Sequence, residues 1–150
     1  MSEQNEPEEE RITKPADPKV THWERGSHFC GVADCRFGIT DVVNGYIVST
    51  VGDYRPQSRN AQRMEIGLNR FYETMVFVDS GQRCAQKACS SANNESCGGL
   101  PVPYGAIWSR VDFQGYRTEE EARVGHDLMV QMYRNEAAPE LNGMKVTGEA

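Results

Sequence analysis

The stretch "RFGITDVVNGYIVSTVGDY", residues 36–54, decides the fold. Two β-rich runs flank Asn44-Gly45, and a two-residue Asn-Gly connection favours φ > 0 at both positions, as a type I′ hairpin turn supplies. Closing the turn there pairs Val43 with Tyr46. In that register Phe37, Ile39, Val43, Tyr46 and Val48 share one face, interrupted by Asp41, while Val42, Ile47 and Val51 share the other. Gly52 and Pro56 end the second strand.

Outward from the hairpin, "RPQSRNAQRMEIGLNR" (residues 55–70) keeps neither a helical nor a strand period and reads as a long connection. "FYETMVFVDS" (residues 71–80) is a third strand, with Phe71, Glu73, Met75 and Phe77 opposite Tyr72, Thr74, Val76 and Val78. Apolar groups on both sides mark a central strand. "AIWSRVDFQGY" (residues 106–116) alternates Ile107, Ser109, Val111 and Phe113 against Trp108, Arg110, Asp112 and Gln114, and Gly115 closes it. A helix follows, opened by Thr118 and Glu121 at capping-box spacing, with Ala122, Gly125, Met129 and Met132 as its apolar stripe, flanked by Leu128 and Tyr133. The expected fold is α+β: a small antiparallel sheet of about four strands with a C-terminal helix packed on one face.

The ends differ from this middle. Residues 1–20 hold six acidic residues, three basic ones and three prolines with almost nothing apolar, the composition of a disordered acidic arm. Residues 21–135 form the single domain, and 136–150, with Pro139 and Asn142-Gly143, read as a flexible tail. The net charge of −6 lacks the basic footprint of a general nucleic-acid binder. No run of 18 apolar residues spans a membrane, and the acidic start does not resemble a signal peptide, so the expected compartment is the cytoplasm.

That compartment keeps thiols reduced, which sharpens the question posed by five cysteines. Cys30 and Cys35 are spaced C-x4-C, as are Cys84 and Cys89, and Cys97 follows in a Gly-bounded turn. Structural zinc, thiols without a metal, and a disulfide formed on lysis all remain open. If a metal is held, the expected ligands are Cys30, Cys35, Cys84 and Cys89, closing a structural site with no position for water. Zinc would also give a reason for order in residues 79–105, expected to be a long cysteine-containing loop.

Other candidates are polar groups near the third strand. Tyr54, Arg55, Arg63, Arg70, Tyr72 and Glu73 could line a pocket for a small anionic ligand such as a nucleotide signal, with arginines on phosphate and a tyrosine stacking a base. His126, in the middle of the helix, is a packed side chain or a ligand-binding group. His28 and Cys30, two apart, offer metal-ligand geometry, but no nucleophile motif, Walker loop or dinucleotide fingerprint accompanies them. No catalytic residue is assigned.

"GYIVSTVGDYRP", "EIGLNRFYETMVF" and "GYRTEEEARVGH", in this order and spacing, resemble a family of small, mostly hypothetical proteins encoded by tailed phages and prophages. The resemblance covers residue 30 to about residue 133 and leaves out the acidic arm and the loop from Cys84 to Cys97. It implies a phage origin and a setting in the cytoplasm of an infected cell, and it supplies no catalytic residue. The expected activity is that of a non-enzymatic accessory protein binding a host or phage protein, or a second copy of itself. A small-ligand sponge and a structural zinc module are the alternatives.

Overall fold

Asn44 and Gly45 adopt φ of 54° and 83°, and the hairpin closes on Val43 opposite Tyr46, as the turn chemistry requires. The computed structural model describes residues 12–24, 35–55, 62–89, 96–105, 111–141 and 144–145. Its elements are β1 (Thr13–Pro15), β2 (His22–Trp23), β3 (Cys35–Val43), β4 (Tyr46–Tyr54), β5 (Tyr72–Cys84), β6 (Pro101–Pro103), β7 (Asp112–Tyr116), α1 (Glu119–Arg134), β8 (Glu140–Leu141) and β9 (Met144–Lys145). The class is α+β, but the sheet is larger than expected. Seven antiparallel strands join through β5, in the order β1-β5-β4-β3-β2 with β6 and β7 also on β5, and β8 and β9 pair separately.

The expected faces of the two hairpin strands are the observed ones; of the expected fourth strand, residues 106–110 lie outside the described residues and β7 begins at Asp112. Phe37, Ile39, Tyr46 and Val48 lie in clusters that include Ala122, Met129 and Tyr133 of α1, with Val43 packed beside them. Ile47 and Val51 join Met75 and Phe77 on the opposite face, with Val42 and Phe113 against them. Both faces are therefore core. The hairpin turn also anchors the helix, because the Asn44 side-chain amide donates to the carbonyls of Tyr133 (3.3 Å) and Glu136 (2.5 Å), and Tyr46 donates its hydroxyl proton to Ala137. These bonds tie the hairpin turn to the last turn of α1 and to the residues that follow it.

Three expectations change. The third strand does not stop at residue 80: β5 runs to Cys84, and β6 pairs with it, so much of the expected loop of residues 79–105 is sheet. Prolines 101 and 103 are tolerated because, among the described residues, β6 is bonded to β5 alone. Within the expected arm, Thr13–Pro15 pairs with residues 82–84 of β5, and Ala16 and Ala85 add backbone bonds to Gly81 and Ile12. Residues 1–11 lie outside the described residues.

The helix is rotated from its expected setting. Thr118 caps it as read, accepting from the Glu121 amide at 3.1 Å, while the Glu121 carboxylate accepts from the Arg117 amide. Its buried side is Ala122, His126, Met129 and Tyr133, and Leu128 and Met132 face outward. The cause is polar. Asp41, which interrupts the sheet face, accepts from His126 Nε2 at 2.7 Å, and His126 Nδ1 meets Thr50 Oγ1 at 2.6 Å. Thr50 contacts Thr74 at 2.5 Å, and Tyr116 donates to Thr74 at 3.1 Å. With the imidazole proton on Nε2, every donor in this chain finds an acceptor, which is what buried polar groups require. Gly125 lets it form: a Cβ there would overlap the Tyr116 ring and hydroxyl.

Burial pushes the Asp41 carboxyl up, but hydrogen bonds from His126 and His22 outweigh it and hold it below the usual carboxylate range. His22, bonded to Glu24 and Asp41, is shifted up by those two carboxylates. Asp41, His126 and Thr50 stand in the order of an acid, a base and a hydroxyl. Thr50 is 0% exposed beneath α1.

Candidate metal centre

Strand β5 carries the first cysteine. Cys84 is buried, its amide donates to the Leu100 carbonyl at 2.9 Å, and it sits opposite Thr13. β1 and β6 thus hold the end of β5 from both sides. The chain returns through Cys89, also buried, and then Cys97, where Gly98 and Gly99 take φ of 83° and 81°. Two successive left-handed positions suit glycine and turn the chain back into Leu100, which is 1% exposed. The Trp23 indole N–H donates to the Gly98 carbonyl at 3.0 Å, pinning the turn to β2.

The sheet curls to make that contact. Trp23 is level with Thr40, Ser49 and Met75, while Arg83 lies eight residues further along β5, yet the Arg83 guanidinium is 5.8 Å from the Trp23 ring. A flat sheet would keep them about 25 Å apart at roughly 3.3 Å per residue. Asp79 fixes Arg83 through two bonds, 2.9 Å and 3.1 Å, and both side chains are buried. A buried bidentate pair holds one geometry, so the strand segment leading into Cys84 is rigidly placed.

The three sulfurs of Cys84, Cys89 and Cys97 all lie within 4.8 Å of one another. A tetrahedral zinc with bonds of about 2.3 Å sets its sulfurs about 3.8 Å apart, so small side-chain rotations would supply three of its four positions. Soft thiolates suit zinc rather than magnesium or calcium. Burial pushes the Cys97 thiol up to about 11, against a backbone hydrogen bond at Leu100 that lowers it, and Cys84 and Cys89 add to the rise. Thiols this close ionise together when a cation shares their charge.

This differs from the expected ligand set. Cys84 and Cys89 come together as read, but the third member is Cys97. Cys35 packs against Ile47, Val51, Met75 and Phe77 and is not in the group, because the register of β3 commits it to the core of the hairpin. Cys30 and His28 lie outside the described residues. The signal for Cys97 was its Gly-Gly successor and its place in the same excursion as Cys84 and Cys89.

The expected anion-binding residues of β4, β5 and their connection lie around one end of that strand pair, where Tyr54 bridges to Met64 next to Arg63 and Gly52 pairs with Tyr72, but their side chains are engaged within the protein. Arg55 bonds Asp53 at 2.6 Å, Arg63 lies over the Phe71 ring, and Arg70 lies over Phe113 with its stem in the space left by Gly115. Tyr72 is buried edge-on against Phe37, and His126 is 1% exposed with both ring nitrogens bonded. Tyr54 and Glu73 are half-buried on the paired strands β4 and β5. Sequence reasoning missed the partnership of Asp41 with His126, which only the packing of α1 on β3 creates. No helix among the described residues is long and apolar enough to cross a membrane. No family model, curated protein or solved structure matches the chain.

Proposed function

We propose that the protein is a non-enzymatic binding module of a tailed phage or prophage, acting in the cytoplasm of an infected cell on a host or phage protein, with its β5–β6 lobe stapled by structural zinc. The convergence of Cys84, Cys89 and Cys97, two of them buried, is the observation that carries the zinc. The strand motifs that resemble phage proteins carry the setting. A binding role rather than catalysis is supported by the closure of the Asp41–His126–Thr50 chain under α1. Three sulfurs leave one position for a fourth donor, and a closed shell is the form that zinc takes where it holds a fold.

Elemental analysis of the full chain, purified without chelator or a histidine tag, tests this. About one zinc per chain is expected, lost in Cys97→Ser and kept in Cys35→Ser. Loss of zinc in Cys30→Ser would identify the fourth ligand. Less than about 0.2 zinc per chain in the wild type, with the thiols titrating freely after denaturation, removes the metal.

A further inference from the structure

The rotation of α1 that buries His126 leaves an apolar stripe outside. Val124, Leu128 and Met132 are 56%, 60% and 49% exposed. They follow one another at i, i+4 and i+8, one side of the helix. Beside them β7 is bonded to β5 alone among the described residues. Between α1 and β7 runs a groove of about 920 Å3, apolar in the middle along this stripe. Carboxylates stand at its two ends: Asp112, which accepts the Tyr133 hydroxyl proton at 2.8 Å, and Glu120 with Glu121. No basic side chain among the described residues lines it. Single exposed apolar residues are ordinary, but a stripe along a groove with charged ends is the form of a recognition surface.

We propose that this groove binds a short, basic, amphipathic segment of another protein, an apolar run flanked by Lys or Arg. The stripe spans eight residues of helix, about 12 Å, which accommodates about four extended residues or two helical turns of a partner. Charge decides among occupants. A second copy docked by two-fold symmetry would bring the carboxylate ends of both grooves together, in chains that each carry −6. The chain's own residues 1–11 include five glutamates and are repelled in the same way. A partner with flanking cations instead pairs with both ends, gaining on-rate and register from them and affinity from the apolar centre. This rests on the binding-module reading but not on the metal, since the groove and the cysteines share no residue.

Selection of a random 12-residue peptide library displayed on yeast, against the full-length chain, tests the proposal. The expected result is enrichment of peptides with an apolar run bracketed by Lys or Arg. Their affinity should fall at least tenfold in Leu128→Ser and in Glu120→Lys, and fall with added salt. Both substitutions are on exposed positions, and unchanged thermal midpoints will show that both variants fold. Zinc content measured on the same samples keeps a failure of the metal reading separate from a failure of the groove. No enrichment, enrichment of acidic or uncharged peptides, or insensitivity to Leu128→Ser overturns the proposal. So does a concentration-dependent dimer in sedimentation that Leu128→Ser dissolves, which would assign the groove to a second copy.

Discussion

Replacing Asp41 with Asn should lower stability at pH 7 by about 1–2 kcal/mol, without changing the volume of the site. Asp41 accepts from His22 Nδ1 at 2.8 Å through one oxygen and from His126 Nε2 at 2.7 Å through the other, with its side chain 21% exposed. Hydrogen bonds to a charged acceptor contribute about 1.5–3 kcal/mol and neutral ones about 0.5–1.5. Asn can keep its oxygen toward His126 and turn its amide toward His22, which is exposed enough to rearrange. The loss is therefore mainly one charge-assisted bond reduced to a neutral one. In a chain of this size that lowers the thermal midpoint by about 2–8 °C. The pH dependence carries more information. Because the folded carboxyl is held below its usual range, its contribution is complete above about pH 4 and disappears as pH falls through the folded value. His22 is shifted up, so its share is complete below about pH 6.5 and disappears as pH rises through its folded value. The gap between wild type and Asp41→Asn in urea denaturation should be widest between about pH 4 and 6, narrow on the alkaline side and close on the acid side. A gap that is absent, or that widens below pH 4, would refute the claim that the imidazoles hold Asp41 ionised.

Gly45→Val should destabilise by more than about 1 kcal/mol in chemical denaturation, since φ of 83° resists a β-branched side chain; no loss would mean the turn relaxes freely. Gly125→Ala tests the helix contact by its sign: helix propensity alone predicts a gain of about 1 kcal/mol, whereas overlap with Tyr116 predicts a loss of about 1–3 kcal/mol, and a gain would contradict the packing. Truncation to residue 12 should leave the thermal midpoint within about 2 °C, while truncation to residue 21, which removes β1 from β5, should lower it further; equal midpoints would show that β1 contributes nothing.

What the sequence disclosed follows from locality. Asn44-Gly45 fixes a turn from two adjacent residues, and the turn then fixes both faces of β3 and β4, so one local signal placed most of the core. Thr118 and Glu121 located the helix start for the same reason. The facing of that helix was not local. Scored by hydrophobicity, His126 belongs outside and Met132 inside, and the reverse holds because Asp41, 85 residues away, requires a donor. The cysteine set failed similarly. C-x4-C spacing selects Cys35 and passes over Cys97, and only the curl of β5 over Trp23 brings the turn after Cys97 back toward Cys84. Short, proline-bearing β6 and the Thr-Lys-Pro segment of residues 13–15 carry little strand propensity of their own and are strands because β5 offers them an edge.

X-ray absorption at the zinc edge, on the full chain loaded with one equivalent of zinc, bears most directly on the proposed centre. A shell of at least three sulfurs at about 2.3 Å is expected, reduced in Cys97→Ser and unchanged in Cys35→Ser. A shell of nitrogen and oxygen alone at about 2.0–2.1 Å, or a spectrum that Cys97→Ser leaves unaltered, would contradict it.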